Sequence, residues 1–212
     1  MIPELDGATA ALAADALDRV GLRNQSMAPG IAPLRAGMRL VGRAFPIVVE
    51  AADSIPDEPY RGEIRAIDSL QPGDIPVYSV APEVDTALWG ELFTCAAIGH
   101  GSAGAVVDGF VRDVPQIVEL NFPVFARGTS PLDTKGRAEV REFGVAAPCG
   151  GVLVNPGDAV VADEDGVVII PAVALADVAA IIDEKLRGER GARTDLLQGK
   201  TLAEVWATWQ VL

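Results

Sequence analysis

The last third of the chain consists of short valine-rich runs separated by residues that form tight turns. Between Phe143 and Ile170, the runs are interrupted at 148–151 (Pro-Cys-Gly-Gly), 155–158 (Asn-Pro-Gly-Asp) and 163–166 (Asp-Glu-Asp-Gly). Proline fixes φ and glycine supplies positive φ, so each interruption predicts a tight turn. Apolar runs this short, bounded by turn residues, are typical of strands, and the pattern therefore predicts a β meander or hairpins.

Upstream of the meander, helical and strand-like segments alternate. Thr9 as a cap and Gly21 as a stop bound a first helix over Ala10–Val20. Strands and helices are then expected in alternation over Arg39–Glu50, Arg61–Leu70, Ile75–Val80, a helix that starts between Thr86 and Glu91, Ala105–Val107, Val114–Leu120 and Val124–Ala126. Helix–strand units followed by consecutive strands predict a mixed α/β or α+β domain.

The remaining segments complete the predicted organisation. The stretch 129–142 is polar and predicts an exposed loop. Pro171 opens a long helix that is expected to run to about Arg187, with Gly188 ending it. Thr201 and Glu204 form a capping box that starts a last helix. We expect a single domain over residues 1–187 and a helical tail over 188–212.

Charge and hydropathy exclude several classes of protein. The formal net charge is −13, from 30 Asp+Glu against 17 Lys+Arg, whereas a nucleic-acid partner requires a basic footprint. The N-terminus carries carboxylates where a signal peptide carries positive charge. The longest apolar stretch, 167–182, is interrupted and shorter than the ~20 residues of a membrane span. We expect a cytoplasmic protein with no membrane or nucleic-acid partner.

Several residues that suggest other chemistries are interpreted structurally. The G-x-G-x-x-G pattern at 99–104 follows a helix and precedes a strand, the reverse of the dinucleotide-binding order, and therefore predicts a turn. The single histidine, His100, has no patterned nucleophile beside it. Cys95 falls on the apolar face of its helix and is expected in the core, whereas Cys149 lies in a glycine-rich turn that can expose it. One histidine and two distant cysteines fall short of a zinc site.

Lysine usage narrows the possible enolate chemistry. A Schiff-base enzyme needs a lysine desolvated in a pocket. The chain has three lysines, Lys135, Lys185 and Lys200, and none lies in a segment expected to be buried. Enolate chemistry would therefore rely on a metal ion. Its ligands would be oxygens, which suit Mg²⁺ or Mn²⁺.

The most informative segment is 104–113, Gly-Ala-Val-Val-Asp-Gly-Phe-Val-Arg-Asp. A buried strand leads to a turn at Asp108-Gly109 and then places Arg112 and Asp113 at a sheet edge, where ligands gather in α/β folds. The guanidinium can bind a carboxylate and the adjacent carboxylate can hold a hard cation. The alternative is structural: Asp113 caps the helix that begins at Val114, in a capping-box-like pair with Gln116, and Arg112 is a surface charge.

Five sequence segments carry a resemblance to a known family. They are Leu-Trp-Gly-Glu-Leu at 88–92, the segment 104–113, Phe-Pro-Val-Phe-Ala-Arg-Gly at 122–128, Cys-Gly-Gly-Val through Pro-Gly-Asp at 149–158, and Asp-Glu-Asp-Gly-Val at 163–167. In this order they resemble the RraA-like family. That family includes the 4-hydroxy-4-methyl-2-oxoglutarate / 4-carboxy-4-hydroxy-2-oxoadipate aldolases and the regulator of ribonuclease E activity. The resemblance extends from about Thr9 to Pro171.

The resemblance implies a compact three-layer β/β/α domain of the swivelling type. It also implies a homotrimer or a homohexamer with active sites between subunits, and a divalent metal, Mg²⁺ or Mn²⁺, in a pyruvate-binding pocket. The implied activity is that of a lyase that cleaves 4-hydroxy-2-oxo diacids to pyruvate and a second oxo acid. The cleavage proceeds through a metal-stabilised enolate, and oxaloacetate decarboxylation is a side activity.

The resemblance also assigns roles to residues. Arg112 would bind the carboxylate of the oxo-acid substrate, and Asp113 would hold the metal directly or through its waters. Glu91 would orient a water for proton transfer. Gly90 and the backbone amides of Leu92 and Phe93, at a helix N-terminus, would complete the substrate site as anion-binding groups.

Two positions depart from the pattern of the aldolases, which have Asp where this chain has Glu91 and usually an acid where it has Gln116. The regulator has Glu at the first position but a non-acidic residue where this chain has Asp113. The sequence therefore leaves two alternatives to the aldolase. One is a non-catalytic, ribonuclease-binding regulator of the same fold. The other uses the same metal site on a different oxo- or hydroxy-acid.

Overall fold

The computed structural model describes residues 2–211, which form six α-helices and eleven strands. The helices are α1 (Ala10–Arg19), α2 (Arg61–Asp68), α3 (Glu91–Gly99), α4 (Val114–Glu119), α5 (Leu175–Leu197) and α6 (Leu202–Trp209). The strands are β1 (Ala32–Pro33), β2 (Leu40–Ala51), β3 (Asp74–Val80), β4 (Ala87–Trp89), β5 (Ala105–Val111), β6 (Val124–Thr129), β7 (Ala138–Phe143), β8 (Ala147–Cys149), β9 (Val152–Val154), β10 (Ala159–Asp163) and β11 (Gly166–Ile170).

Nine strands of the described chain form one mixed sheet, in the order β1-β6-β5-β3-β2-β10-β11, with β4 beside β5 and β7 beside β2. The pairs β2–β3, β3–β5, β4–β5 and β5–β6 are parallel, and the other pairs are antiparallel. Strands β8 and β9 form a separate hairpin. The mixed α/β fold expected from the sequence is confirmed.

Three apolar clusters divide the interior into layers. One packs α2, α3 and α4 against the sheet, and a second lies between the sheet and the β8–β9 hairpin. The third joins α1 and α5 to β10 and β11. The first cluster contains the stacked rings of Trp89 and Phe122, whose centroids are 6.1 Å apart. This packing fixes β4 and the start of α3, where the candidate site lies.

Of the meander and hairpins expected in the last third, the hairpins are confirmed: β8 pairs with β9 and β10 pairs with β11, while β9 and β10 do not pair. Gly150 has a φ of +57° in the turn between β8 and β9, and Gly157 has +86° before β10. Asp158 fixes the latter turn, since its carboxylate accepts hydrogen bonds from the backbone N–H groups of Asn155 (2.8 Å) and Ala172 (2.9 Å). Turn chemistry in the sequence was therefore sufficient to locate these strands.

The predicted end of the long helix at Arg187 is wrong. Pro171 precedes a 3₁₀ turn, and α5 then runs unbroken from Leu175 to Leu197. Gly188 and Gly191 lie against the C-terminal segment: a Cβ on Gly188 would lie 3.2 Å from Val211, and one on Gly191 would lie 2.3 Å from the Trp209 ring. These glycines allow close packing instead of ending a helix. The capping box of α6 is confirmed.

The division into a domain over 1–187 and a tail over 188–212 stays a prediction, and its boundary lies inside the continuous helix α5. The loop expected over 129–142 is wrong in its last part, because β7 begins at Ala138 and pairs with β2. Among residues 2–211, no helix is both long enough and apolar enough to cross a membrane.

The predicted environments of the two cysteines are reversed. Helix α3 buries Thr94 and Ala97, so Cys95 is exposed rather than in the core. Cys149 lies in β8 with its side chain buried between the hairpin and the sheet, and its thiol donates to the backbone oxygen of Tyr78 at 3.4 Å. Leu92, on the same helix as Cys95, is 79% exposed.

Candidate active site

Two parallel strands bring the candidate residues together at one edge of the sheet. Strand β4 leads through Gly90 into α3, and β5 leads directly to Arg112 and Asp113. The backbone N–H of Arg112 donates to the oxygen of Trp89 at 2.9 Å, which ties the two strand ends together. The expected turn at Asp108-Gly109 is wrong, because β5 continues through both residues to Val111. The expected place of Arg112 and Asp113 at an edge of the sheet, directly after a buried strand, is confirmed, and the edge is formed by the carboxyl ends of parallel strands.

Asp113 does not cap α4, although it is the residue before its first turn. Its backbone is left-handed (φ 57°, ψ 36°), whereas a capping residue is normally extended, and its side chain makes no capping hydrogen bond. The carboxylate instead accepts the backbone N–H of Glu91, with 3.2 Å between N and Oδ2. The capping interpretation of Asp113 is therefore wrong, and its Oδ2 lies at the N-terminus of α3.

The N-terminus of α3 leaves backbone donors free beside Arg112. The first helical hydrogen bond runs from Thr94 to the oxygen of Gly90 (3.0 Å), so the N–H groups of Leu92 and Phe93 have no helical acceptor. Gly90 is closely packed: a Cβ there would lie 2.7 Å from Oδ2 of Asp113 and 3.3 Å from Cγ of Arg112. Donors of this kind next to a guanidinium suit a carboxylate.

Arg112 lies between two carboxylates. Its Nε is 3.8 Å from Oδ2 of Asp113, and its Nη1 is 3.2 Å from Oδ1 of Asp133. The hydroxyl of Tyr60 donates a hydrogen bond to Oδ2 of Asp133. The hydrogen bond to Asp133 raises the pKa of Tyr60. Although burial opposes it, the same hydrogen bond and the Arg112 charge keep the pKa of Asp133 below its usual value.

A cavity of about 350 Å³ joins these groups. Its lining includes the expected metal ligand Asp113, together with Tyr60, Asp133 and apolar side chains. It also includes the four substrate-binding residues expected from the sequence, Gly90, Leu92, Phe93 and Arg112. Glu91 does not line the cavity, and it contacts the site through its backbone N–H, which donates to Asp113. The proton-transfer role of the Glu91 side chain stays a prediction.

Sequence reasoning missed Tyr60 and Asp133. Both lie outside the predicted helices and strands, Tyr60 just before α2 and Asp133 in the polar stretch before β7. Neither position has a spacing relation to Arg112 that a sequence pattern could detect. The left-handed backbone of Tyr60 (φ 64°), which marks this residue in the structure, cannot be recognised from the amino-acid sequence.

The carboxylate oxygens and the charges that line the cavity fit a divalent cation. Arg112 is the one cationic side chain among its described lining residues, and it faces the carboxylates of Asp113 and Asp133. Oδ2 of Asp113 takes the Glu91 N–H, while Oδ1 has no protein donor within residues 2–211, and the side chain is 40% exposed. Mg²⁺ typically keeps several waters and binds through one or two carboxylates. In the described chain no three His, Cys, Asp or Glu side chains converge, so any cation would retain water.

Comparison with known families and proteins gives a consistent result. A family model described as RraA-like, Aldolase/RraA, matches residues 9–169. A protein of Halalkalibacterium halodurans provisionally named 4-hydroxy-4-methyl-2-oxoglutarate aldolase is 36% identical over 157 residues, which is 74% of this chain and 70% of that protein. Protein DlpA of Legionella pneumophila is 31% identical over 209 residues, 96% of this chain but 33% of the relative's length.

Solved structures share the fold along nearly the whole chain. A protein from Pseudomonas syringae described as uncharacterized superposes with a TM-score of 0.84 at 29% identity, covering 95% of this chain and 94% of that one. RraAS2 of Streptomyces coelicolor, described as an unusual member of the RNase ES inhibitor RraA protein family, gives a TM-score of 0.80 at 27% identity. That match covers 91% of this chain and 94% of the other.

Proposed function

Because this chain belongs to the RraA-like family, we propose that it is a divalent-metal-dependent lyase. Its substrates would be 4-hydroxy-2-oxo diacids of the 4-hydroxy-4-methyl-2-oxoglutarate type, which it cleaves to pyruvate and a second oxo acid. Relatives named as aldolases support the lyase class. The observation that carries the proposal is the placement of Arg112 and Asp113 beside the free amides of α3 in one cavity.

Arg112 binds the carboxylate next to the oxo group in this proposal. A guanidinium and two backbone N–H groups, those of Leu92 and Phe93, offer a planar anion several donors at once. Gly90 keeps the backbone close enough to Arg112 and Asp113 for this arrangement. The apolar walls formed by Leu88, Trp89 and Phe93 exclude water from one side of the substrate.

Asp113 holds the divalent cation, Mg²⁺ or Mn²⁺, in this proposal. When bound, the cation stabilises negative charge that develops on the oxo oxygen as the C–C bond breaks. A covalent lysine route has no support, since within the described chain no lysine lines this cavity: Lys185 pairs with Asp15 and Lys200 with Asp195, and Lys135 lines a neighbouring cleft. Loss of CO₂ from oxaloacetate leaves the same pyruvate enolate, so oxaloacetate decarboxylation is proposed as a side activity.

A homotrimer, or a homohexamer built from two trimers, is part of the proposal. Helix α3 exposes two apolar side chains: Leu92, which lines the cavity, is 79% exposed, and Ile98, near the other end of the helix, is 43% exposed. Exposed apolar patches of this kind mark interaction surfaces. A second subunit placed there would cover one side of the site. Light scattering coupled to size-exclusion chromatography tests the assembly, and a monomer at micromolar concentration would contradict it.

The activity is tested by pyruvate release, coupled to lactate dehydrogenase, across a panel of 2-oxo acids with Mg²⁺. Reactions without enzyme correct for spontaneous decarboxylation. We expect turnover that is lost in EDTA, restored by Mg²⁺ or Mn²⁺, abolished in Asp113→Ala and unchanged in Glu119→Gln, which alters an exposed carboxylate on α4. Turnover insensitive to EDTA would contradict the proposal. Activity confined to another oxo- or hydroxy-acid would favour the alternative that Gln116 suggests.

A second candidate function is supported by the similarity to RraAS2 of Streptomyces coelicolor. In this alternative the chain binds a ribonuclease through its acidic surface and has no catalytic activity. It predicts inhibition of an RNase E-type ribonuclease, no binding of Mg²⁺ at Asp113 and no turnover of oxo acids. Measuring pyruvate release with Mg²⁺ and inhibition of the ribonuclease therefore distinguishes the two functions.

A further inference from the structure

Two carboxylates contact the guanidinium of Arg112, one from the next residue in the sequence and one from a distant segment of the chain. Asp113 is its neighbour in sequence and lies 3.8 Å from Nε. Asp133 belongs to the connection between β6 and β7 and lies 3.2 Å from Nη1. Nη2 has no protein acceptor in the described part of the chain. The ion pair with Asp133 therefore restricts the direction in which the open side of Arg112 points.

Asp133 is fixed on both sides along the chain. The oxygen of Leu132 accepts hydrogen bonds from the Thr86 hydroxyl (2.9 Å) and from the backbone N–H of Ala87 (3.0 Å). The oxygen of Thr134 accepts the backbone N–H of Arg137 at 2.7 Å. The bonds to Leu132 attach the polar connection to the start of β4, the strand that leads into α3, and the bond to Thr134 closes a turn within the connection. The carboxylate of Asp133 is thus held in register with the candidate site.

The second oxygen of Asp133 is held by Tyr60, whose hydroxyl donates to Oδ2. Tyr60 has a left-handed backbone (φ 64°, ψ 9°) immediately before α2. A bulky residue adopts this conformation rarely, and it persists only where the surrounding structure imposes it. Such strained residues are concentrated at functional sites, and here the strained residue lines the same cavity as Arg112.

Stability alone gives little reason for this arrangement. The side chains of Arg112 and Asp133 are 41% and 32% exposed, and ion pairs with this degree of solvent contact contribute little to folding. Asp133 also places a negative charge beside the guanidinium of Arg112, which the proposed function assigns to substrate binding. This charge should weaken the attraction between Arg112 and the carboxylate of a substrate. Its presence is explained if Asp133 orients the guanidinium.

We propose that Asp133 and Tyr60 are positioning residues that act through Arg112: Asp133 holds Nη1, Tyr60 holds Asp133, and Nη2 stays open for the carboxylate of the substrate. The inference rests on the proposed function, in which Arg112 binds that carboxylate. It adds two residues that the sequence motif does not contain. No proton or electron is transferred through them.

The test uses Asp133→Asn and Tyr60→Phe, which remove one charge and one hydroxyl while keeping shape. Pyruvate binding is measured by titration calorimetry with and without Mg²⁺, and KM and kcat are measured on oxaloacetate. We expect Asp133→Asn to weaken pyruvate binding about tenfold and Tyr60→Phe about threefold, because the ion pair survives loss of the phenol. KM should rise more than kcat falls. Glu58→Gln, which breaks the exposed pair with Arg61 (2.7 Å) on the same loop, is the control and should change neither.

A double-mutant cycle separates positioning from general damage. In an Arg112→Lys background, which lacks the planar guanidinium, adding Asp133→Asn should change pyruvate binding less than about twofold, because coupled residues are not additive. Full additivity would contradict action through Arg112. Tighter binding in Asp133→Asn would also overturn the proposal, since Asp133 would then compete with the substrate.

The proposed function and the positioning role fail in different ways. If Arg112→Ala loses pyruvate binding while Asp133→Asn and Tyr60→Phe bind normally, the positioning role is wrong and the proposed function stands. If Arg112→Ala binds pyruvate as the unmodified protein does, or the unmodified protein does not bind it, the proposed function is wrong and the positioning role falls with it. Melting curves of each variant confirm that the fold is intact.

Discussion

Oδ2 of Asp113 accepts a hydrogen bond from the backbone N–H of Glu91, 22 positions earlier in the chain, with 3.2 Å between the two atoms. The carboxylate therefore satisfies one free donor of α3 and, with Arg112, borders the two donors that follow. One residue links the end of β5 to the start of α3. A substitution at Asp113 should affect both the charge of the site and the order of this helix terminus.

The variant Asp113→Asn separates these two roles. Asparagine tolerates the left-handed backbone (φ 57°) and keeps an oxygen that can accept the Glu91 N–H. We expect the melting temperature to stay close to that of the unmodified protein, while Mg²⁺ affinity falls on the order of a hundredfold because the charge is lost. Calorimetric titration with Mg²⁺ measures the affinity. Equal affinity in the two proteins would exclude Asp113 as the metal ligand.

Gly90→Ala should disturb the site without a new charge. The added Cβ would lie 2.7 Å from Oδ2 of Asp113 and 3.3 Å from Cγ of Arg112. Both side chains must shift, and displacements near 1 Å can reduce rates about a hundredfold. We expect pyruvate release to fall by about that factor, with a stability loss of about 1–3 kcal/mol from overpacking. The coupled assay and a urea titration measure the two effects.

Gly99→Ala is the matched control on the same helix. A Cβ on Gly99 meets no atom within 4 Å, and its φ lies outside the left-handed region. Alanine there should leave turnover unchanged and raise the free energy of unfolding by up to about 1 kcal/mol. A comparable loss of activity in both variants would mean that helix α3 as a whole, not the contact at Gly90, is sensitive.

Local chemistry explains which parts of the site the sequence could predict. Arg112 and Asp113 follow a run of buried β-branched residues, and the end of a parallel strand is a place where ligands bind. Asp133 contacts Arg112, and Tyr60 contacts Asp133, where hydrogen bonds hold the polar connection before β7 against the start of β4. That arrangement depends on tertiary hydrogen bonds between segments without periodicity. The capping interpretation of Asp113 was wrong because the pattern around Val114 does not reveal a left-handed backbone.

The same distinction holds for the fold. Turn residues located the hairpins β8–β9 and β10–β11, because proline and glycine restrict the backbone locally. Glycine has a second use that sequence alone does not distinguish, which is to let another segment approach closely. Gly188 and Gly191 are of this kind, and α5 therefore passes both. Strand β7 was missed because three of its six residues are charged and Ala138 is the one buried residue in it, so it has no apolar run to mark a strand.

Gly191→Ala tests this close packing of α5 and α6. The new Cβ would lie 2.3 Å from the ring of Trp209, whose Nε1 donates to Oδ2 of Asp195 at 2.9 Å. We expect α6 to be displaced at a cost of about 1–3 kcal/mol, with faster proteolysis of the C-terminal segment. In Gly188→Ala the nearest atom is a Val211 methyl at 3.2 Å, so the gain in helix propensity should offset most of the strain. Equal proteolysis rates in both variants would contradict this packing.

Glu63 gives the protein a pH-dependent stability. It lies on α2 with 5% of its surface exposed, and burial raises the pKa of its carboxyl above the usual 4.5. The folded chain therefore holds a proton that the unfolded chain releases between 4.5 and the raised pKa. In that interval the folded state binds more protons, so the free energy of unfolding falls as pH rises. Glu63→Gln removes the titration and should flatten this part of the dependence of the free energy of unfolding on pH, leaving the variant more stable than the unmodified protein at neutral pH.

Urea titrations from pH 4 to pH 8 measure the slope, with exposed Glu58→Gln as the control. A slope that persists in Glu63→Gln would assign the pH dependence to another carboxylate.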